Sequence, residues 1–137
     1  MEVVELLEMN LADFRTMEDL AIEQESKLAD GAAEEFTRAS QRRDAIQESI
    51  QKRSEKIRAL LNESTGAAVD SRVRELKEEI GSVASRVAEI DSKILALAEE
   101  ERDRALRDVM QLKQGRQGLK GYAKRPGAAP RFLDKEG

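Results

Sequence analysis

Apolar residues recur at steps of three and four over most of the chain, and this spacing predicts three long helices. The first is predicted over about residues 2–28, the second over about residues 32–62 and the third over about residues 67–113. Asp30-Gly31 and the run at 63–66 are turn signals between these segments. Three helices joined by short turns predict an all-α fold, an antiparallel three-helix bundle or coiled coil.

The third helix carries the most regular apolar pattern. β-branched residues fill most of its seam, which is typical of a coiled coil. After residue 97 the register changes, because the next seam positions are the charged residues Glu101 and Arg104 and the apolar residues resume beside them. The seam positions before this change alternate strictly in steps of three and four: Val73, Leu76, Ile80, Val83, Val87, Ile90, Ile94 and Leu97.

The three predicted helices differ in length. At about 1.5 Å per residue, the first is roughly 40 Å long, the second roughly 45 Å and the third roughly 65 Å. We therefore expect an over-long third helix whose last turns have no partner within the bundle. An uncovered apolar stripe on a protein surface indicates a binding partner. The apolar residues in these last turns are Ala105, Leu106, Val109, Met110 and Leu112.

Polar residues interrupt the apolar stripes of the first two helices. Glu18 and Glu25 break the stripe of the first helix, so its second half is expected to be weakly held and to swing or swap. Arg43 and Arg53 occupy seam positions of the second helix. We expect their methylene groups to lie along the groove and their charged groups to stay in water.

The amino-acid composition argues against several classes of function. The chain is 38% charged, 39% hydrophobic and only 3% aromatic, which suits amphipathic helices and not a thick core with a buried pocket. It has no cysteine, which excludes disulfides and thiolate chemistry, and no histidine, which removes the commonest general base and the commonest transition-metal ligand. We therefore expect no enzyme activity, no cofactor and no metal site.

The location of the protein is an expectation from the same sequence. No apolar run approaches the roughly 20 residues that a helix needs to cross a bilayer. The apolar run near the start, Val3–Met9, is interrupted by Glu5 and Glu8 and does not resemble a signal peptide. We expect a cytoplasmic protein without membrane insertion.

Residues 113–137 differ from the rest of the chain. They hold five of the eight glycines, both prolines and a net charge of +5, whereas the whole chain carries −4 and residues 1–112 therefore carry −9. We predict a flexible basic tail, with Gly115, Gly118 and Gly121 ending the third helix. These glycines lack the preceding strand and following helix of a phosphate loop. The acidic body opposes binding to nucleic acid.

The basic tail has two possible uses: it rests against the acidic first helix, or it contacts another protein. Its bulky side chains Tyr122, Phe132 and Leu133 lie among glycines, prolines and charges and cannot readily join the seam. They either fold back over the end of the bundle or anchor a partner, as aromatic side chains often do at binding hot spots.

Two parts of the chain resemble a known family. One is the second helix, with Glu35-Phe36 followed by SQRRDAI at residues 40–46; the other is GRQGLKGY at 115–122 with RFLDKEG at 131–137. These stretches resemble the bacterial flagellar export chaperones of the FlgN/FliT type, which are small, acidic, cytoplasmic and helical. The resemblance implies a type III export chaperone that holds hook-associated or filament-cap subunits and delivers them to the export apparatus. The partner contacts that it implies are Leu106, Val109, Met110, Leu112, Leu119 and Tyr122.

The residue pattern itself leaves two functions open. A disordered amphipathic segment of a client could fold as a helix into the uncovered groove of the third helix. Alternatively, the chain is a coiled-coil adaptor or stalk protein that self-assembles, for example as a homodimer, through the same stripe. The candidate protein-binding residues are Ala105, Leu106, Val109, Met110, Leu112, Leu119, Tyr122, Phe132 and Leu133.

Overall fold

A computed structural model describes residues 2–63 and 70–123, with side chains described through residue 115. Within these ranges the chain forms three α-helices and no strand, which confirms the all-α prediction. The turn expected after residue 63 and the tail from residue 124 onward lie outside the described residues. The helices are α1 (Glu2–Ala29), α2 (Ala33–Glu63) and α3 (Ser71–Ala123).

The chain divides into two compact units, Met1–Leu97 and Ala98–Gly137. The first unit contains α1, α2 and the first part of α3, and it forms the bundle. The described part of the second unit is the continuation of α3, which is 53 residues long, compared with 28 for α1 and 31 for α2.

Ion pairs between helices define their directions in the first unit. Going forward along α1, its successive ion-pair partners in α2 have lower residue numbers, so α1 and α2 are antiparallel. Its successive ion-pair partners in α3 have higher residue numbers, so α1 and α3 are parallel. The bundle is therefore antiparallel, with α2 running against both neighbours, as predicted. The pairs are Lys56–Glu2 (3.0 Å) and Arg53–Asp13 (2.7 Å) between α1 and α2, and Arg15–Glu79 (3.2 Å) and Arg86–Glu18 (2.7 Å) between α1 and α3.

The apolar core brings all three helices together. Val73 and Leu76 of α3 are its most enclosed side chains, with no exposed surface. Burial then decreases along the predicted seam of α3, since Ile90, Ile94 and Leu97 are only half-buried. The buried core residues are Val3, Leu7, Leu11 and Met17 of α1, Ile50 and Ile57 of α2, and Val73, Leu76, Val83 and Val87 of α3.

The helix ends follow local hydrogen-bonding rules. Gly31 has a positive φ of 73°, and the N–H of Ala32 donates to the carbonyl of Lys27 at 2.8 Å. This is a Schellman ending of α1, which favours glycine because the left-handed conformation is strained for other residues. At the start of α3, the carboxylate of Asp70 accepts a hydrogen bond from the N–H of Arg72 at 2.8 Å, as a helix cap does.

The prediction that α3 spans about residues 67–113 is wrong at both ends. It begins at Ser71 and continues to Ala123, so part of the predicted tail is helical. The glycines at 115, 118 and 121 do not end it. A glycine costs roughly 1 kcal/mol relative to alanine inside a helix but does not block helical hydrogen bonding. The first proline, which would block it, is at residue 126.

The expectation that Arg53 keeps its charged group in water is also wrong. Its side chain is 19% exposed, and Nη2 lies 2.7 Å from the Asp13 carboxylate. Its Nη1 donates to Oδ1 of the buried Asn10 at 2.8 Å, and Asn10 donates to Oγ of Ser54 at 3.3 Å. A charged group tolerates partial burial when a carboxylate and an amide oxygen both accept from it. We call these four residues of α1 and α2 the Arg53 junction.

Arg43 likewise turns inward, and it joins all three helices. Its Nη1 donates to Asp91 of α3 and to Oε1 of Gln24 of α1, each at 2.7 Å, and Nη2 donates to Asp91 at 2.8 Å. The hydrogen bond to Asp91 raises the pKa of Arg43 above its ordinary value, although partial burial opposes this. Gln24 is buried and donates to Oγ of Ser40 at 2.6 Å and to the carbonyl of Phe36 at 3.3 Å. We call these five residues the Arg43 junction.

Candidate protein-binding site

Five of the nine predicted binding residues have described side chains, and all five lie in the second unit. We call them the C-terminal stripe: Ala105, Leu106, Val109, Met110 and Leu112. Since α3 is continuous through them, their directions around the helix follow from about 100° of rotation per residue.

The C-terminal stripe occupies one side of α3. Ala105, Val109 and Leu112 fall within about 60° of one another around the helix axis. Leu106 and Met110 widen this apolar face to about 160°. Such a width is typical of a helix face that packs against another element.

The side chains of the C-terminal stripe are not enclosed. Met110 is 57% exposed and Leu112 is 59% exposed. Ala105 is also exposed, while Leu106 and Val109 are half-buried. From residue 98 to residue 115 no side chain is buried. This stretch is helical without an apolar core of its own among the described side chains.

Charged residues border the C-terminal stripe. Glu101 and Asp108 project on the Leu112 side of the face, and Arg102 and Lys113 lie near its two ends. Glu101 also accepts a hydrogen bond from Arg104 at 2.8 Å. An apolar centre with a charged border is the usual composition of a protein-binding surface.

The side chains of the other four predicted binding residues lie outside the described part of the structure. Leu119 and Tyr122 lie within α3, whose backbone is helical there, but their side chains are outside the described set. Phe132 and Leu133 lie outside the described residues altogether. Their assignment to the site stays a prediction.

Other large apolar side chains are exposed in the first unit. Met9 and Ile22 of α1 are each 51% exposed, and Leu95 of α3 is 61% exposed. Met9 and Ile22 are thirteen residues apart and point to different sides of α1. Single exposed apolar residues are normal on protein surfaces, so these positions are useful controls.

Sequence reasoning missed two buried polar residues in the first unit, Asn10 and Gln24, which are each 3% exposed. A signal was present, since both lie three or four residues from buried apolar positions of α1 and therefore fall on its inward side. No buried side-chain nitrogen or oxygen atom in the described part of the chain lacks a hydrogen-bond partner.

The described surface of the first unit includes two depressions. A cleft of about 380 Å³ is lined mainly by charged side chains of α1 and α3, including the paired Arg15 and Glu79. A smaller depression of about 220 Å³ lies beside the Arg43 junction, with Met17 and Gln47 among its lining residues. Both are open to solvent.

No helix in the described ranges combines the length and apolar character that crossing a membrane requires. The same residues contain no group of three or more acidic side chains placed to hold a metal ion.

Comparisons of the chain with models of protein families, with curated proteins and with solved structures found no match.

Proposed function

We propose that this chain is an export chaperone that binds a client protein through the C-terminal stripe. The observation that carries the proposal is the exposure of Met110 and Leu112 on a stretch of α3 where no described side chain is buried. Burying apolar surface is favourable by about 25 cal/mol per Å². A helix face with this pattern therefore gains free energy when a partner covers it.

The partner best suited to the C-terminal stripe is an amphipathic segment that folds as a helix on binding. Such a segment would place apolar residues at i, i+3, i+4 and i+7 against the stripe. Ordering a disordered segment costs free energy, which keeps the affinity moderate and allows release. A protein that holds and releases a client in this way needs no catalytic residue and no cofactor.

The proposed clients are late structural subunits of the bacterial flagellum, namely hook-associated or filament-cap proteins. The support for this class is the resemblance of residues 35–46, 115–122 and 131–137 to the flagellar export chaperones. The proposal places the protein in the cytoplasm, where it delivers its client to the type III export apparatus. Leu119, Tyr122, Phe132 and Leu133 extend the proposed contact surface beyond the described side chains.

The test is a binding titration with purified hook-associated and filament-cap subunits from the same genome. The Met110→Gln/Leu112→Gln double variant should bind its client about ten-fold or more weakly, since each side chain contributes roughly 1 kcal/mol of burial. The matched control is Leu95→Gln, which changes an equally exposed leucine of the same helix and should bind like the parent chain. Equal binding by all three proteins, or binding of no such subunit, contradicts the proposal.

The exposed stripe also suits self-assembly, as in a coiled-coil adaptor. Light scattering on the isolated protein distinguishes the two functions when it is combined with the same variants. If the parent chain is a tight oligomer that Met110→Gln/Leu112→Gln dissociates, and no subunit binds, the adaptor function replaces the chaperone. Client binding that the double variant loses supports the chaperone.

A further inference from the structure

The two ends of the three-helix bundle are held together differently. At one end, Val73 and Leu76 of α3 have no exposed surface and lie in the apolar core. At the other end, Leu20 and Ala21 of α1 and Ala39 of α2 are buried, but the seam residues Ile90, Ile94 and Leu97 of α3 are only half-buried. The ion pair that joins α3 to α2 at this end is Arg43–Asp91.

Polar contacts at the second end can be exchanged for water. The Asp91 side chain is 45% exposed, and a depression of about 220 Å³ next to Arg43 is open to solvent. Hydrogen bonds and ion pairs that break in contact with water regain most of their energy from hydration. Apolar surface that separates has no such compensation. Separating α3 from its neighbours therefore costs less free energy at the Arg43 junction than at Val73 and Leu76.

We propose that the Arg43 junction is a polar latch, at which residues 88–97 of α3 separate from α1 and α2 while residues 73–83 stay packed. Arg43 is the centre of the latch because one guanidinium contacts Gln24 of α1 and Asp91 of α3 at once. Local opening of this kind is a cooperative event with a lower free energy than global unfolding.

The Arg53 junction provides a matched internal control. Arg53 lies on the same helix as Arg43, and the two side chains are 19% and 16% exposed. Both are bonded to a carboxylate and to a buried amide side chain. However, the partners Asn10 and Asp13 of Arg53 are on α1, so these hydrogen-bonded and ionic contacts of Arg53 join α2 to α1.

Hydrogen exchange of the full chain, followed by mass spectrometry, tests the latch. In the parent protein, the amides of 88–97 should exchange about ten-fold or more faster than those of 73–83. Arg43→Gln should raise the rate in 88–97 by about a further ten-fold and leave 73–83 within about twofold. Arg53→Gln should leave 88–97 within about twofold of the parent rate.

Salt offers a second measurement that needs no substitution. Raising NaCl to about 0.5 M weakens partly exposed ion pairs and should speed exchange in 88–97 more than in 73–83. Equal exchange of the two segments in the parent protein overturns the latch. So does an Arg53→Gln effect on 88–97 as large as that of Arg43→Gln, or an Arg43→Gln chain that unfolds as a whole.

Discussion

Two stretches of α3 differ in burial although they belong to one continuous helix. Residues 71–97 contribute four buried apolar side chains to the core, two of them fully enclosed. Residues 98–115 contribute none, and their two largest exposed apolar side chains are more than half exposed. Helix formation and burial are therefore separate properties of this sequence. The spacing of apolar residues predicts which face of a helix is apolar, but whether that face is buried depends on the neighbouring elements.

The amino-acid composition of the two stretches matches this difference. The seam of 71–97 alternates strictly and is rich in valine and isoleucine, which fill the grooves of facing helices. After Leu97 the register shifts, and the next positions on the apolar side include Ala98 and Ala105. A smaller and less regular stripe is better suited to reversible binding than to forming a permanent core.

Core truncation should give the largest difference between the two stretches. Leu76→Ala removes a fully enclosed side chain and should lower the free energy of unfolding by about 2–5 kcal/mol. Leu112→Ala, at a position 59% exposed, should change it by less than about 0.5 kcal/mol. Denaturant unfolding followed by circular dichroism measures both. Similar losses in the two variants would show that Leu112 is covered within the free chain.

Loss of a buried amide should have an intermediate effect. Gln24→Ala removes three hydrogen bonds from the Arg43 junction and should cost about 1–3 kcal/mol in the free energy of unfolding. Gln111→Ala, at an exposed position of the second stretch, is the control and should be neutral within about 0.5 kcal/mol. A neutral Gln24→Ala would mean that water replaces the amide without loss.

Glycine substitutions should have smaller effects with opposite signs. Gly81 is helical and an added Cβ meets nothing within 4 Å, so Gly81→Ala should raise the free energy of unfolding by up to about 1 kcal/mol. Gly31→Ala should lower it by roughly 1 kcal/mol, because φ is +73° there. Gly115→Ala should increase the helical signal with little change in core stability. Thermal and denaturant unfolding of the three variants would expose a reversed sign.

Exposed ion pairs should have the smallest effect and should not distinguish the stretches. Glu79→Gln in the first stretch and Glu101→Gln in the second each remove a pair whose side chains are about half exposed. Each should change the free energy of unfolding by less than about 0.5 kcal/mol. A much larger loss for Glu79→Gln would mean that surface charge, and not apolar burial, separates the two stretches.

The regular features of the fold could be predicted from the sequence. The strict spacing from Val73 to Leu97 placed the seam of α3, and Asp30-Gly31 placed the turn after α1. These features are local, because side-chain periodicity and the left-handed preference of glycine depend on neighbouring residues only.

The polar interior and the end of α3 could not be predicted in the same way. Whether Arg43 is buried depends on Asp91 and Gln24, which are distant in sequence and meet it only in the folded bundle. The glycines after residue 113 favour a helix end by propensity, but each costs only about 1 kcal/mol and no proline enforces a stop before residue 126. The exposure of Met110 and Leu112 in the stripe at 105–112 agrees with the predicted lack of a covering helix, whereas a partner for the stripe stays a prediction.

Single-cysteine labelling tests the exposed stripe most directly, since the chain contains no cysteine of its own. Leu112→Cys should react with iodoacetamide at about the rate of a free thiol, whereas Val83→Cys, at a position 3% exposed, should react about 100-fold more slowly. Adding the hook-associated or cap subunit should protect Leu112→Cys and leave Leu95→Cys reactive. A Leu112→Cys chain that is already as protected as Val83→Cys without any partner would contradict the account.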